Sequence, residues 1–572
     1  MSDARKPAAA QLHNVMSQPQ RPASISHAVD AGATESTASF SSTASGNDAM
    51  AKTYALAEGD EQGRAHADSR DSRLNLPLLL CAIAAAVSSV NYGWVLGSVN
   101  IPAQVIEQCS GGPLTWSHGF PSCIPMGRTL WGLVVGLTPL GAWAGSMLSG
   151  VAADRFGRKR LLVYNNAFFV AGAVLAGTAT SILQLGVSRF VSGIGCGVAA
   201  TVVSTYNSEI ATVRSRGFLG GFQQLMILIG VFASQVASIG LAGAPLWRVL
   251  FSISAAIAIG QTLLLLLVPE SPKFLVSKGR HTDALAALQK LRRGLHVKAE
   301  LDDLLTALDS AALRQAQQPS LWQVLSGRTE VDLRHLVFCV IFLMMSQQCS
   351  GSKGVLFYST EILTDTFHLT EAQRKSIPTI AQLLTTGIGG VGAAAVVVGM
   401  FVLDKVGRRT VLICSMLATT LAAALIVVGS KLDLAPMVAT AMYVFSFVFQ
   451  SGAGFIPYLC ASELLPYNVL GSISGLATSV NCLALFVVSF TFPILNDALG
   501  PYLFVPFVAT NGLALLFSIF LMPEAKGKSV AEVVAEYKGP IRIVSGPFVR
   551  RKPSPSPPIE PSPAPRKHSC EN

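Results

Sequence analysis

Two short charged turns carry the densest chemistry in the chain. Asp154, Arg155, Arg158, Lys159 and Arg160 surround Gly157, and Asp404, Lys405, Arg408 and Arg409 surround Gly407. Each turn closes one apolar stretch and opens the next. Glu209 and Arg216 form a further acid and base in the first half, and Glu463 a further acid in the second. Carboxylates and guanidinium groups so placed form ion pairs that can be broken and remade. One exposed pair is worth under about 1 kcal/mol. A network of them biases a two-state equilibrium enough to shift populations strongly. The expected role is a latch holding one end of the molecule shut. The competing role is topology alone, since basic residues keep a loop on the cytoplasmic side of a membrane. Asp154 and Glu209 do nothing for topology and favour the latch. No nucleophile–base set, metal-ligand spacing or nucleotide-binding loop is present, so no enzyme, metal or cofactor is expected.

The elements that must position these residues are membrane helices. Of the 572 residues, 51% are hydrophobic and 13% charged, and the mean hydropathy is +0.50. A soluble domain carries about 25% charge. Apolar runs of roughly 20 residues, enough to cross a bilayer, begin with one from about Leu76 to Ile101 and recur near 129–151, 161–180, 183–206, 218–240 and 247–268. They resume near 335–360, 378–403, 410–430, 434–460, 471–492 and 501–522. The fold class read from this is an all-α membrane protein of twelve transmembrane helices, six in each of two halves (74–268 and 335–522). The basic turn after the second segment of each half is the repeat signal, and such duplication suggests a transporter whose halves rock about a central site. The net charge of +10 is placed beside membrane segments and points to lipid headgroups rather than nucleic acid.

Outside the halves, residues 1–73 form a polar tail read as disordered and cytoplasmic. Residues 269–334 form a cytoplasmic linker, with surface helices expected over His281–Arg293 and Lys298–Arg314. Residues 523–572 are read as a second cytoplasmic tail. Its proline-rich end is first a disordered segment and, as the alternative, a ligand for regulatory proteins. Cys109 and Cys123 share the first outside loop, where a disulfide is an open option.

Several motifs in order resemble the sugar porter family of the major facilitator superfamily, over about residues 76–537. They are residues 141–160, Arg189 within 188–197, residues 206–217 with Glu209 and Arg216, Trp247 and Arg248, residues 269–275, Gln347 and Gln348, residues 404–409, Glu463, and residues 523–528. The resemblance implies the superfamily's twelve-helix fold and transport of a solute. It assigns Arg189 a structural role. It also implies a substrate site at Gln224, Gln347, Gln348 and Asn481, whose amides suit the many hydroxyls of a sugar.

Four positions of the expected site depart from the family pattern. Lys353 stands where an asparagine is usual, placing an ammonium in the expected cavity. Tyr458 replaces a tryptophan, Cys482 removes a second one, and Gln450 stands where an acid is common. Near Glu463 the usual base is replaced by Leu470, leaving Arg408 or Arg409 to pair with it and a weaker latch in the second half. A buried lysine must be hydrated, neutral or paired, so an organic anion or sugar acid is the alternative substrate. Val95 stands where proton-coupled relatives carry an acid. Facilitated diffusion of a sugar or polyol is therefore expected over proton symport. A transporter-like nutrient sensor is the alternative from another class. The chain is expected as a monomer, in the plasma membrane by default or an internal membrane, with both termini cytoplasmic.

Overall fold

A computed structural model describes residues 75–109, 114–117, 119–212, 215–292, 297–315, 321–328, 331–367, 380–528, 530–541, 543 and 544. The N-terminal tail and the proline-rich C-terminal end expected from sequence lie outside these residues. The first half contains α1 (Leu76–Gly97), the one-turn helix α2 (Ala103–Glu107), α3 (Arg128–Phe156), α4 (Arg158–Gly177), α5 (Ile182–Ile210), α6 (Arg216–Leu241) and α7 (Trp247–Leu267). Four linker helices follow, α8 (Pro272–Ser277), α9 (His281–Arg292), α10 (Val297–Gln315) and α11 (Leu321–Leu325). The second half contains α12 (Arg334–Cys349), α13 (Ser352–Thr366), α14 (Ile380–Val406), α15 (Arg408–Lys431), α16 (Ala435–Gln450), α17 (Ile456–Leu464), α18 (Tyr467–Leu499) and α19 (Val505–Phe520). A last short helix, α20, spans Val530–Tyr537.

Ten candidate spans among the described residues are long and apolar enough to cross a bilayer; α12 and α13 together make one of them. The helices α16 and α19 are apolar but shorter, at 16 residues each. Helices suit lipid because each satisfies its own backbone hydrogen bonds. The small residues around Gly141 work as their spacing suggests. A Cβ at Gly141 would lie 2.2 Å from the Phe190 carbonyl oxygen, and one at Gly197 2.0 Å from that of Ala142. Only glycine lets α3 and α5 approach this closely.

Glycine with positive φ separates consecutive helices at both charged turns, Gly157 (φ 93°) and Gly407 (φ 108°). Two spans of the second half are discontinuous. Gly351 (φ 86°) divides α12 from α13, and residues 451–455 divide α16 from α17.

Two sequence expectations need correction. The first helix ends at Gly97 rather than near Ile101. The stretch after residue 522 is not all tail: Val533 and Tyr537 of α20 are buried, and Tyr537 stacks on His335 with centroids 6.2 Å apart. Hydrophobic contact and the Gly539 N–H donating to the Asp332 carbonyl (2.8 Å) hold that segment against the start of α12.

Candidate functional site

The two helix breaks of the second half lie beside a closed knot of amides. Gln347 and Gln348, in the last turn of α12, meet Asn481 of α18 and Tyr458 of α17. The Asn481 amide donates to Gln347 Oε1 (2.8 Å) and to the Met344 carbonyl (2.7 Å). Gln348 Nε2 donates to Gln347 Oε1 and Asn481 Oδ1, both at 3.0 Å. The Tyr458 hydroxyl donates to Asn481 Oδ1 (3.1 Å). Gln347 Nε2 donates to the carbonyl of Gly454 (2.6 Å), inside the α16–α17 break. Both breaks are thereby tied to one network. Broken helices are where membrane proteins expose backbone and polar side chains to a substrate cavity.

Capacity is left unused here. Gln348 Oε1 within the knot, and Gln450 Oε1 at the end of α16, are buried without a hydrogen-bond partner among the described residues. Buried acceptors of this kind call for a donor. Tyr458 is 48% exposed while its hydroxyl is bonded into the knot, which leaves ring surface uncovered. Gln224 of α6 and Lys353 of α13 are half-buried and make no hydrogen bond or ion pair among the described residues. The described contacts join neither of them to the amide knot.

At the charged turns the structure builds the same clasp twice. Arg158 pairs with Glu209 (2.9 Å) and with Asp154 (3.3 Å), and its guanidinium lies 5.4 Å from the Phe274 ring centre. Arg408 grips Glu463 through Nε and Nη2, at 2.9–3.2 Å. The acid that sequence left without its usual base is therefore held by Arg408, while Arg409 donates instead to the Ile519 carbonyl (2.6 Å). Each clasp also has a second acid that sequence reading quoted within a motif but gave no role. Glu270 Oε1 accepts from the backbone N–H groups of Arg158 and Lys159, both at 2.9 Å. Glu524 accepts from those of Arg408 and Arg409, both at 3.2 Å. A carboxylate at a helix N-terminus satisfies free donors and complements the helix dipole. The available signal was the recurrence of Pro-Glu after the sixth segment of each half.

Sequence reading expects pairing at this end to hold it shut; in the structure each clasp closes within its own half. Every ion pair described at this end joins residues of one half or of the linker. Lys159 donates to the Leu266 carbonyl (3.3 Å), and Arg155 rests on Phe156. The side chains of Arg216 and Asp404 lie outside the described residues. Arg189 reaches across its half from α5, donating to the carbonyl of Val95 in α1 (2.8 Å).

The ion pairs and side-chain hydrogen bonds between the halves lie at the opposite end, through residues to which sequence reading gave no gating role. Arg128, which opens α3, pairs with Glu361 of α13 (3.3 Å) and with Asp497 of α18. Asn100 donates to the Leu356 carbonyl (2.7 Å) and to Ser359 Oγ (2.8 Å). A Cβ at Gly132 of α3 would lie 2.7 Å from the carbonyl oxygen of Phe490 in α18. Farther along the same two helices, a Cβ at Gly150, Gly471 or Gly475 would meet nothing within 4 Å. The helices α6 and α14 stay in contact near both ends, through Gly221 with Met400 and Gly390 with Phe232. The Arg128 end also carries the Cys109–Cys123 disulfide (S–S 1.99 Å). Its loop is pinned to α7, because Trp247 Nε1 donates to Ser122 O (2.9 Å) and Arg248 to Pro121 O (2.7 Å).

Apolar helices, a polar knot at paired helix breaks, and halves closed together at one end define a membrane transporter. Comparison with known proteins places it further. The model of the sugar (and other) transporter family matches residues 80–537. A facilitated glucose transporter, member 4 of solute carrier family 2 from Mus musculus, is 30% identical over 82% of this chain and 92% of its own length. A probable metabolite transport protein of Saccharomyces cerevisiae is 29% identical over 80% and 95%. The inward-open xylose transporter XylE of E. coli shares the fold, with a TM-score of 0.65 at 20% identity over 80% of this chain and 99% of XylE. The chain belongs to the sugar porter family of the major facilitator superfamily. It is a transporter and not an enzyme, moving a small polar solute across a membrane by alternating access.

Proposed function

We propose that the chain carries a neutral sugar or polyol by facilitated diffusion, binding it at Gln347, Gln348, Asn481 and Tyr458, with Gln224 from the facing half. The amide knot with buried acceptors and an exposed aromatic ring supports this most directly, because a sugar offers many hydroxyl donors and an apolar ring face. Uncoupled transport follows from Val95 and the absence of a carboxylate well inside the first six segments. The bundle is assigned twelve spans as six and six, counting α12 with α13, α16 with α17, and α19 as one span each. The clasp end and both termini are assigned to the cytoplasm. Basic turns favour that side, and a disulfide suits the oxidising opposite side of a plasma membrane.

Lys353 supports a second reading. Its ammonium has no acidic partner among the described residues, so a sugar acid or other organic anion would supply one. Uptake by the purified full chain in proteoliposomes separates the two. The first reading expects saturable uptake of neutral sugars, insensitive to an imposed proton gradient, lost on Asn481→Ala and retained on Lys353→Asn. Preferred uptake of sugar acids that Lys353→Asn abolishes overturns it in favour of the second.

A further inference from the structure

A cationic cavity of about 350 Å³ lies beside the first clasp, away from the amide knot. Lys159 and Arg160 at the start of α4, Arg280 before α9 and Lys290 within α9 line it, together with Glu270 and Asp283. Both acids are already engaged. Glu270 Oε1 accepts three backbone N–H groups, those of Arg158, Lys159 and Ser271, at 2.9–3.0 Å. Asp283 is paired with Arg280 at 2.7 Å. Lys159, Arg160 and Lys290 have no ion pair among the described residues.

Two of these cations are brought together by the backbone. Lys159 Nζ donates to the Leu266 carbonyl (3.3 Å) and Lys290 Nζ to the Leu267 carbonyl (3.4 Å), adjacent groups in the last turn of α7. That helix end favours positive charge, but two ammonium groups on neighbouring carbonyls repel one another. A phosphate between them would relieve that repulsion and accept from both, with Arg160 offering a planar donor set. The cavity volume suits a phosphorylated ring more than a single phosphate.

We propose that this cavity binds a ligand bearing phosphomonoester groups. The chemistry is shared by a phosphorylated inositol-lipid headgroup and by a soluble phosphorylated polyol. Occupancy joins α9 of the linker to the start of α4 and the end of α7, and so fixes the linker on the first half.

The test uses the full chain in nanodiscs of phosphatidylcholine, alone or with phosphatidylinositol 4,5-bisphosphate, and inositol 1,4,5-trisphosphate as the soluble probe. Saturable binding that weakens with salt is expected, together with thermal stabilisation. Binding of the soluble probe identifies a free ligand as sufficient; stabilisation by the lipid alone identifies the headgroup in the bilayer. Arg160→Gln with Lys290→Gln is expected to weaken binding by roughly tenfold per lost cation. Lys298→Gln, outside the cavity, is expected to leave binding unchanged. Sugar uptake by both variants reports that they fold. No saturable binding of either probe overturns the proposal, as does equal loss in the Lys298 variant, which would reveal bulk charge attraction.

Discussion

The two ends of the molecule are held by different means. At the clasp end, each half has its own ion-paired unit, Arg158 with Glu209 and Arg408 with Glu463, and both units turn inward on their own half. At the Arg128 end, charge, amide and backbone contacts run between halves, through Arg128 with Glu361 and Asp497, Asn100 with α13, and Gly132 against α18. The clasps make each half a body that can move as a unit, and the Arg128 end is the closure that must part. Charged motifs alone mark rigidity here; close approach between helices of different halves marks the gate.

The largest effect is expected where that approach is tightest. Gly132→Leu would drive a side chain into the Phe490 carbonyl. It should hold the Arg128 end open and lower uptake at least about fivefold, from an overpacking penalty of roughly 1–3 kcal/mol. Gly260→Leu, exposed on α7 away from the seam between the halves, meets nothing within 4 Å and should change uptake less than about twofold. Equal losses in proteoliposome uptake would remove the special role of the Gly132 approach.

The clasps can be ranked against each other. The side chain of Glu209 is 6% exposed and that of Glu463 25%. Arg158→Ala strands the more buried acid, and is expected to destabilise the purified protein by about 3 kcal/mol. Arg408→Ala is expected to destabilise it by about 1 kcal/mol. Thermal unfolding in detergent measures both, and a larger loss from Arg408→Ala would reverse the ranking.

A smaller effect should follow from pH at the Arg128 end. Burial first, and then the neighbouring Glu361, push the Glu107 carboxyl up to about 7, against the opposing pull of Arg128 and the Gln108 amide; Asp497 adds a further upward push. When this end opens, Glu107 regains water and an ordinary carboxylate range. The closed form therefore binds the proton more tightly, so acid favours closure. Raising pH through the interval from 4.5 to about 7 shifts the balance toward opening, and the dependence levels off above it. With screening at this rim, a change of about threefold in the open population is expected between pH 5.5 and 8. Glu107→Gln should flatten it, measured by labelling of a cysteine at Leu114. An unchanged slope in that variant would assign the dependence to another group.

Much of the fold was legible because apolar length and basic turns are local properties of the chain. The amides of the knot were legible only through resemblance, since spacing alone does not say that Gln347 and Asn481 meet across 134 positions. The clasp acids Glu270 and Glu524 could be located but not given a role, because their partners are backbone N–H groups that exist only once α4 and α15 form. The gate was illegible for a related reason. Arg128, Glu361 and Asp497 sit in separate segments with no shared motif, and only the packing of the halves brings them together.

Alternating access is tested most directly by paired spin labels on the full chain in nanodiscs. One pair, at Leu114 and Tyr502, reports the Arg128 end; the other, at Val151 and Gly471, reports the clasp end. On adding a transported sugar, the account predicts reciprocal changes, with the first distance lengthening in the population whose second distance shortens. Distances that lengthen together, or a first distance that never changes during measured transport, would contradict it.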